Sequence, residues 1–130
     1  MNQRITNKKK RILLVDDEHD VTYTLEKVLE SNGFMIDSYN DPTLALSSLT
    51  PGSYDLLLLD IKMPKMDGFE LYRKIKEKDS EARICFLTAS EMFYEEYRRV
   101  DGYPILDKEY FIQKPFRTEE LIRRLNQILH

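Results

Sequence analysis

The chain has 130 residues, of which 42% are hydrophobic and 33% are charged, and its formal net charge is −3. This length suits one domain with a single core, and a negatively charged chain lacks the basic surface that favours specific DNA binding. No apolar run is long enough to span a membrane and no signal-peptide core opens the sequence, so we expect a cytoplasmic protein.

The first nine residues carry no hydrophobic periodicity and run into the basic stretch Lys8–Arg11. Such a composition is typical of a flexible, solvated arm. We therefore expect residues 1–9 to form an arm and residues 10–130 to form the folded domain. A basic arm that contacts nucleic acid is the alternative interpretation, and deleting the arm distinguishes the two.

Short apolar runs bounded by turn residues alternate with stretches that have apolar residues at helical spacing. The runs predict five strands, at Arg11–Val15, Phe34–Tyr39, Leu56–Leu59, Arg83–Leu87 and Tyr110–Gln113. A helix is expected after each strand, near residues 21–32, 42–50, 68–78, 90–100 and 119–129. Candidate N-caps for three of these helices are Asp20, Asp41 and Thr118. Five strands alternating with five helices imply a single doubly wound α/β domain, with a parallel sheet and helices on both faces.

The third strand ends in a carboxylate that is held by a stiff loop. Four consecutive leucines suit a strand buried on both faces of a parallel sheet, and Asp60 follows them directly. Pro64 lacks an N–H and disfavours the helical region for Met63, and Gly68 permits a tight turn into the next helix. Taken alone, Asp60 is an ordinary polar strand end, but its companions at other strand ends favour a functional site.

Polar residues stand at the carboxyl ends of four predicted strands. Asp16 and Asp17 follow the first strand, Asp60 the third, Thr88 the fourth and Lys114 the fifth. Each has an ordinary explanation by itself, as a helix cap, a local hydrogen bond or a surface charge. Because the carboxyl ends of parallel strands meet at one edge of the sheet, where ligands bind in open α/β folds, we expect these side chains to form one site.

Three carboxylates in one site call for a cation. At ~4 Å, two like charges repel by about 4 kcal/mol at an effective dielectric constant of roughly 20. Oxygen ligands without a Cys or His partner favour a hard ion that keeps several waters, so the acidic cluster predicts Mg²⁺ rather than zinc. His19 lies nearby in sequence, but a lone loop histidine is more often solvated than a ligand.

A metal ion, a carboxylate, a hydroxyl and an ammonium group together match phosphoryl transfer to a carboxylate. Asp60 would be the nucleophile and would form an aspartyl phosphate. The metal and Lys114 would offset charge on the phosphoryl oxygens, and the Thr88 hydroxyl would donate a hydrogen bond to one of them.

Four segments resemble the receiver domain of two-component response regulators, namely Val15–Glu18, Asp60–Gly68, Leu87–Ala89 and Lys114–Phe116. The resemblance covers nearly the whole chain from Lys10 onward. It implies a flavodoxin-like sheet in the strand order 2-1-3-4-5 and a phosphoprotein of phosphorelay signal transduction. The phosphate would come from a histidine kinase or phosphotransfer protein. Such a receiver is not an enzyme in the ordinary sense, although it promotes its own phosphorylation and dephosphorylation.

The resemblance also assigns metal and phosphate ligands. Asp60 is implied as the phosphoacceptor. Asp17 and Asp60, with the backbone carbonyl of Lys62, are implied as the direct metal ligands, and Asp16 would act mainly through water. Thr88 would hold the phosphoryl group together with Lys114.

A second set of implied roles concerns the switch between two states. Phe111 matches the aromatic switch position of the family, which turns inward when Thr88 moves toward the phosphate. The Lys114–Pro115 peptide bond would be cis, as is plausible for an X–Pro bond at a tight turn.

The sequence departs from the family between Thr88 and Lys114, where residues 98–109 make the connection a few residues longer than usual. Four aromatic residues cluster in this region, namely Phe93, Tyr94, Tyr97 and Tyr103. Core packing explains some of them, and an exposed patch for a partner is the alternative interpretation for the others. We expect a downstream protein target to bind the face made by the predicted helix at 90–100, the fifth strand and the last helix. One or more of the three tyrosines would act as anchors. The expected state is a monomer or a weak, phosphorylation-dependent dimer.

Two other functions remain as alternatives. One is a receiver fold that takes no phosphate and only binds partners. The other is a Mg²⁺-dependent phosphatase of the haloacid-dehalogenase type, but Lys62 stands where that family needs a general acid after an Asp60 nucleophile. An Asp16 nucleophile with Glu18 as the acid would leave Asp60–Gly68 unexplained. The sequence does not identify the kinase, the output or the pathway, and we expect a stand-alone regulator rather than a fragment.

Overall fold

The computed structural model describes residues 9–89 and 110–129, apart from the side chain of Thr88. Within these ranges the strands are β1 (Arg11–Val15), β2 (Met35–Tyr39), β3 (Leu56–Asp60), β4 (Ile84–Thr88) and β5 (Phe111–Gln113). The helices are α1 (His19–Ser31), α2 (Pro42–Ser48), α3 (Gly68–Lys78) and α4 (Thr118–Ile128). None of these four helices is long and apolar enough to cross a membrane.

The five strands form one parallel sheet in the order β2-β1-β3-β4-β5. Val15 at the end of β1 pairs with Leu59, and Asp60 at the end of β3 pairs with Leu87. The predicted doubly wound α/β fold and its strand order are therefore confirmed. Because the strands are parallel and in this register, the residues that follow them meet at a single edge of the sheet.

The leucines of β3 alternate between two cores, one on each face of the sheet. Leu57 and Leu59 pack in the core that α2 and α3 cover, whereas Leu56 and Leu58 pack in the core that α1 and α4 cover. None of the four is more than 1% exposed, as expected for a strand covered on both faces. The strand that carries Asp60 is thus held rigidly from both sides.

Cys85 lies on β4 in the core covered by α1 and α4, and its side chain is fully buried. Burial raises the pKa of the thiol to about 12, so the reactive thiolate does not form at physiological pH. Cys85 is therefore a small residue of the hydrophobic core.

Two of the three predicted helix caps are wrong, each by one or two positions. Helix α1 begins at His19, with Glu18 as its N-cap, because Thr22 N–H already donates to the Glu18 carbonyl at 3.1 Å. Asp20 therefore lies inside the first turn, where its charge complements the helix dipole. Helix α4 begins at Thr118 itself, and its N-cap Arg117 makes no side-chain capping bond.

The third predicted cap is confirmed. The Asp41 side chain accepts from Thr43 N–H at 2.9 Å, and Pro42 is the first residue of α2. Three other expectations fall outside the described residues: the N-terminal arm up to residue 8, the predicted helix at 90–100 and the aromatic cluster of residues 93–103.

Candidate functional site

Three carboxylates lie together at the carboxyl edge of the sheet. Asp16 and Asp17 follow β1, Asp60 ends β3, and one oxygen of each lies within 4.8 Å of the others. Asp16 is fully buried and Asp60 is 8% exposed, whereas Asp17 is half-buried. The fold thus brings together the acidic cluster that the strand ends predicted.

Lys114 places one positive charge inside this cluster. It follows β5, and its Nζ donates to Asp16 Oδ2 at 3.0 Å and to Asp60 Oδ1 at 3.3 Å. Burial by itself would lower the pKa of Lys114, but the hydrogen bond to Asp16 and the charge of Asp60 outweigh it and raise that pKa. The side chain is therefore an ammonium ion that bridges two carboxylates.

One ammonium ion does not neutralise three carboxylates. Burial and the charge of Asp16 raise the pKa of Asp60 from 3.8 to about 6, even though Lys114 opposes that change. The Asp60 carboxylate is therefore held in a site where negative charge exceeds positive charge. A carboxylate with this environment binds a further cation or an electrophile readily, because either one relieves the repulsion.

The donors of this cluster fit a hard divalent cation. All three candidate side-chain ligands are carboxylates, and no histidine or cysteine belongs to the group among residues 9–89 and 110–129. Mg²⁺ prefers oxygen donors and binds proteins through one or two carboxylates while it keeps several waters. Asp16, Asp17 and Asp60 would hold the ion here.

The loop between Asp60 and α3 is closed by local hydrogen bonds. Met66 N–H donates to the Pro64 carbonyl at 2.7 Å, and Gly68 N–H donates to the Ile61 carbonyl at 2.8 Å. Lys65 adopts a left-handed conformation with φ of 71°. The loop returns the chain to the end of β3 and keeps its backbone against the site.

The structure corrects the role predicted for Gly68. The left-handed residue of this loop is Lys65, and Gly68 is the first residue of α3. Gly68 is required for space instead, since a Cβ atom there would overlap the backbone carbonyl oxygen of Asp60 and lie 3.0 Å from the Ile61 Cα. The absence of a side chain lets α3 start directly against the strand end that carries Asp60.

The remaining predicted site residues occupy the following positions. Thr88 is the last residue of β4, and its hydroxyl lies outside the described atoms. Lys62 is exposed two residues beyond Asp60. The Lys114–Pro115 bond is cis. Phe111 is 5% exposed, and its ring stacks on Phe86 with centroids 5.2 Å apart.

Two residues near the site were missed in the sequence. Asn40 follows β2, and its side-chain Nδ2 donates to the Asp16 carbonyl at 2.8 Å. Asp67 caps α3 by accepting from Phe69 and Glu70 N–H groups, both at 2.9 Å. The signal for Asn40 was present, because it is a polar residue at the carboxyl end of the one strand that contributed nothing to the predicted cluster.

Comparison with known proteins assigns the family. The sequence model of one protein family, the response regulator receiver domain, matches residues 12–126 of this chain. The transcriptional regulatory protein DltR of Streptococcus agalactiae is 33% identical over 115 residues, which cover 88% of this chain and 50% of that protein. The response regulator MprA of Mycobacterium leprae is 33% identical over 119 residues, which cover 92% of this chain and 50% of that protein. The chain spans about half the length of these curated relatives.

Solved structures agree with this assignment. The response regulator TrrA of Thermotoga maritima, in complex with Mg²⁺–BeF, has a TM-score of 0.77 and 32% identity, over 92% of this chain and 98% of that one. The non-phosphorylated HemR receiver domain of Leptospira biflexa has a TM-score of 0.76 and 28% identity, over 93% and 94% of the two chains. A family match over most of the sequence, similar relatives and a shared fold lead to one conclusion: this chain belongs to the response regulator receiver domain family.

Proposed function

We propose that the chain accepts a phosphoryl group on Asp60 in a Mg²⁺-dependent reaction, with a histidine kinase or phosphotransfer protein as the donor. The observation that carries this proposal is the bridge from Lys114 Nζ to Asp60 and Asp16 within a cluster of three carboxylates. A nucleophilic carboxylate, an ammonium group and ligands for a hard cation are the groups that phosphoryl transfer to aspartate needs.

The transfer itself requires little of the protein beyond placement and charge. An Asp60 carboxylate oxygen attacks phosphorus, the new P–O bond forms, and the bond from phosphorus to the donor nitrogen or oxygen breaks. Lys114 lies beside the attacking group and would stabilise negative charge on the phosphoryl oxygens. Asp17, Asp60 and the Lys62 carbonyl would hold a Mg²⁺ ion directly, and Asp16 would act mainly through water. The ion would supply further charge neutralisation. The same groups would support hydrolysis of the phosphoaspartate.

The output of phosphorylation is proposed to be protein binding. The matched relatives are named as transcriptional and response regulators, and about half of their length has no counterpart in this chain. We assign no DNA contact to the described residues, and we propose that β5, α4 and residues 90–109 contribute to the partner surface. Phe111 is buried against both Phe69 and Phe86. In the proposed switch, Phe111 would occupy this buried position when Thr88 moves toward the phosphoryl group and would take an exposed position otherwise.

Phosphate uptake from a small donor tests the proposal directly. With acetyl phosphate or phosphoramidate, the chain is expected to gain one phosphoryl group in the presence of Mg²⁺ and none when a chelator removes the ion. Intact-mass spectrometry measures the gain. A chain that stays unmodified at saturating donor and Mg²⁺ would instead be a receiver fold that binds partners without phosphate. Continuous release of inorganic phosphate from many substrates would indicate a phosphatase.

Mg²⁺ is also expected to stabilise the fold. A ligand that binds only the native state at about ten times its Kd adds about 1.4 kcal/mol, which raises the Tm of a domain this size by about 5 °C. Asp17→Asn should reduce this rise, and it should increase the Tm of the metal-free protein because one repelling charge is removed. Melting curves with and without millimolar Mg²⁺ measure both effects.

Asp20→Asn provides the control, because Asp20 is an exposed carboxylate in the first turn of α1 and lies outside the cluster. It should leave the Mg²⁺-dependent rise unchanged. A Tm that does not respond to Mg²⁺, or one that responds equally in Asp17→Asn, contradicts the metal site.

A further inference from the structure

The turn after β2 holds the acidic segment after β1 by its backbone. Asp16 N–H donates to the Tyr39 carbonyl at 3.1 Å. The Asp16 carbonyl accepts from Asn40 Nδ2 at 2.8 Å. Both backbone polar groups of Asp16 therefore form hydrogen bonds with two consecutive residues, Tyr39 and Asn40, at the end of β2.

The Asn40 carboxamide is itself fixed in orientation. Its Nδ2 also donates to Thr22 Oγ1 at 2.9 Å, so both protons of the amide group have acceptors. Thr22 is 4% exposed, and its hydroxyl donates to the His19 carbonyl at 3.1 Å in the first turn of α1. Asn40 thus ties the acidic segment to the helix that follows it, through contacts that are partly buried.

The hydrogen bond from Asn40 to the Asp16 carbonyl matters most for the position of Asp17. The Asp16 carboxylate is held directly, because Oδ1 accepts from Glu18 N–H at 3.0 Å and Oδ2 accepts from Lys114. Within the described part of the chain, no hydrogen bond or ion pair holds the Asp17 carboxylate. Its position therefore depends on its backbone. The Asp16 carbonyl and the Asp17 Cα belong to one planar peptide group. The hydrogen bond from Asn40 to this carbonyl therefore fixes the position of the Asp17 Cα, from which the Asp17 side chain extends.

We propose that Asn40 is a positioning residue for metal binding, which places Asp17 as a ligand without touching the ion or the phosphoryl group. This inference rests on the proposed function, since it assumes that the acidic cluster holds Mg²⁺. Partners that orient metal ligands typically change metal affinity by about tenfold or more when they are removed. Loss of Asn40 should act through affinity alone, because its side chain contacts a backbone carbonyl and Thr22 rather than Asp60 or Lys114.

The experiment compares Asn40→Ala with wild type by calorimetric titration of Mg²⁺ well below the Tm. The Kd is expected to rise about tenfold. The rate of phosphorylation by acetyl phosphate should then need about tenfold more Mg²⁺ to reach half its maximum, while the rate at saturating Mg²⁺ stays within about twofold of wild type. A role in stability alone would lower the Tm and leave the Mg²⁺ Kd unchanged.

Two control variants separate this role from general effects near the turn. Ser38→Ala removes a hydrogen bond from the same strand end to Glu26 and leaves the Asp16 carbonyl bound. Lys65→Gln removes the exposed ion pair to Asp41, the neighbour of Asn40, which contributes little in water. Both should keep the wild-type Kd for Mg²⁺. A rise in Kd in these variants equal to that in Asn40→Ala overturns the specific role.

The outcomes for Asn40 and for the proposed function can be told apart. A Mg²⁺ Kd in Asn40→Ala within about twofold of wild type overturns the inference, whether or not the chain takes phosphate. A wild-type chain that binds Mg²⁺ in an Asn40-dependent manner but accepts no phosphate supports the inference and removes the proposed function. If Asn40→Ala does not fold, Asn40→Gln replaces it as the test variant, because it moves the amide donor by one methylene. An unchanged Mg²⁺ Kd in Asn40→Gln would also contradict the inference.

Discussion

Replacing Asp60 with asparagine is expected to abolish phosphate uptake and, in the absence of Mg²⁺, to raise the Tm at neutral pH. The two effects have one cause. The carboxylate is the nucleophile, and it is also the charge that the metal-free site accommodates poorly. Asparagine has nearly the same shape, so α3 and the loop after β3 should keep their places, but its amide oxygen does not attack phosphorus.

The stability effect follows from the pKa of Asp60. Burial and the charge of Asp16 raise this pKa from 3.8 to about 6 in the folded protein. An acid with a raised folded pKa contributes stability that is fully present below pH ~4 and is lost as the pH rises through ~6. At pH 7 the ionised Asp60 therefore costs about 1–3 kcal/mol relative to its neutral form, and asparagine avoids this cost.

Melting curves of both proteins between pH 4 and pH 7.5, in chelator, measure this difference. The Tm of Asp60→Asn should exceed that of wild type by a margin that grows as the pH rises. Asp20 is an exposed carboxylate near the site and provides the control. The Asp20→Asn variant should accept phosphate as wild type does, and the difference between its Tm and that of wild type should not grow as the pH rises. Phosphate uptake by Asp60→Asn, or a margin independent of pH, would refute the role given to Asp60.

Gly68→Ala is expected to destabilise the fold and to impair the site together. A Cβ atom at this position would overlap the Asp60 carbonyl oxygen, which is backbone and cannot rotate away as a side chain does. The start of α3 must then move away from the end of β3, and the bond from Gly68 N–H to the Ile61 carbonyl must lengthen. Overpacking of this kind costs about 1–3 kcal/mol, occasionally more. Urea unfolding measures the loss.

Gly52→Ala is the matched control for this substitution. Gly52 has φ of +79° but has open space around its Cβ position, so alanine there meets only the strain of a left-handed backbone, about 1–2 kcal/mol. Both variants should unfold more easily, but only Gly68→Ala should slow phosphate uptake under conditions in which both are folded. A Gly68→Ala protein with wild-type stability and wild-type uptake would show that α3 adjusts without moving Asp60.

The sequence was sufficient for the strands and for the general location of the site. Each strand was marked by an apolar run, and the leucines before Asp60 indicated a strand covered on both faces, which the structure confirms. The starts of the helices were predicted less accurately than the strands. Asp41 was a cap as predicted, but Asp20 and Thr118 lie inside the first turns of their helices. For Asp20 the reason is that an acidic residue within the first turn is also stabilised by the helix dipole.

The sequence by itself determined which chemical groups stand at the ends of the strands, since hydrophobic periodicity and side-chain chemistry are local properties of a chain. Only the tertiary structure decided how these groups meet. Lys114 Nζ reaches Asp16 Oδ2 at 3.0 Å across 98 positions of sequence, and this contact depends on the packing of all the strands between them. The raised pKa of Asp60, the lack of space at Gly68 and the bond from Asn40 to the Asp16 carbonyl have the same origin. Each depends on distances of a few ångströms between segments remote in sequence, and such distances arise only when the two cores have packed the sheet and helices together.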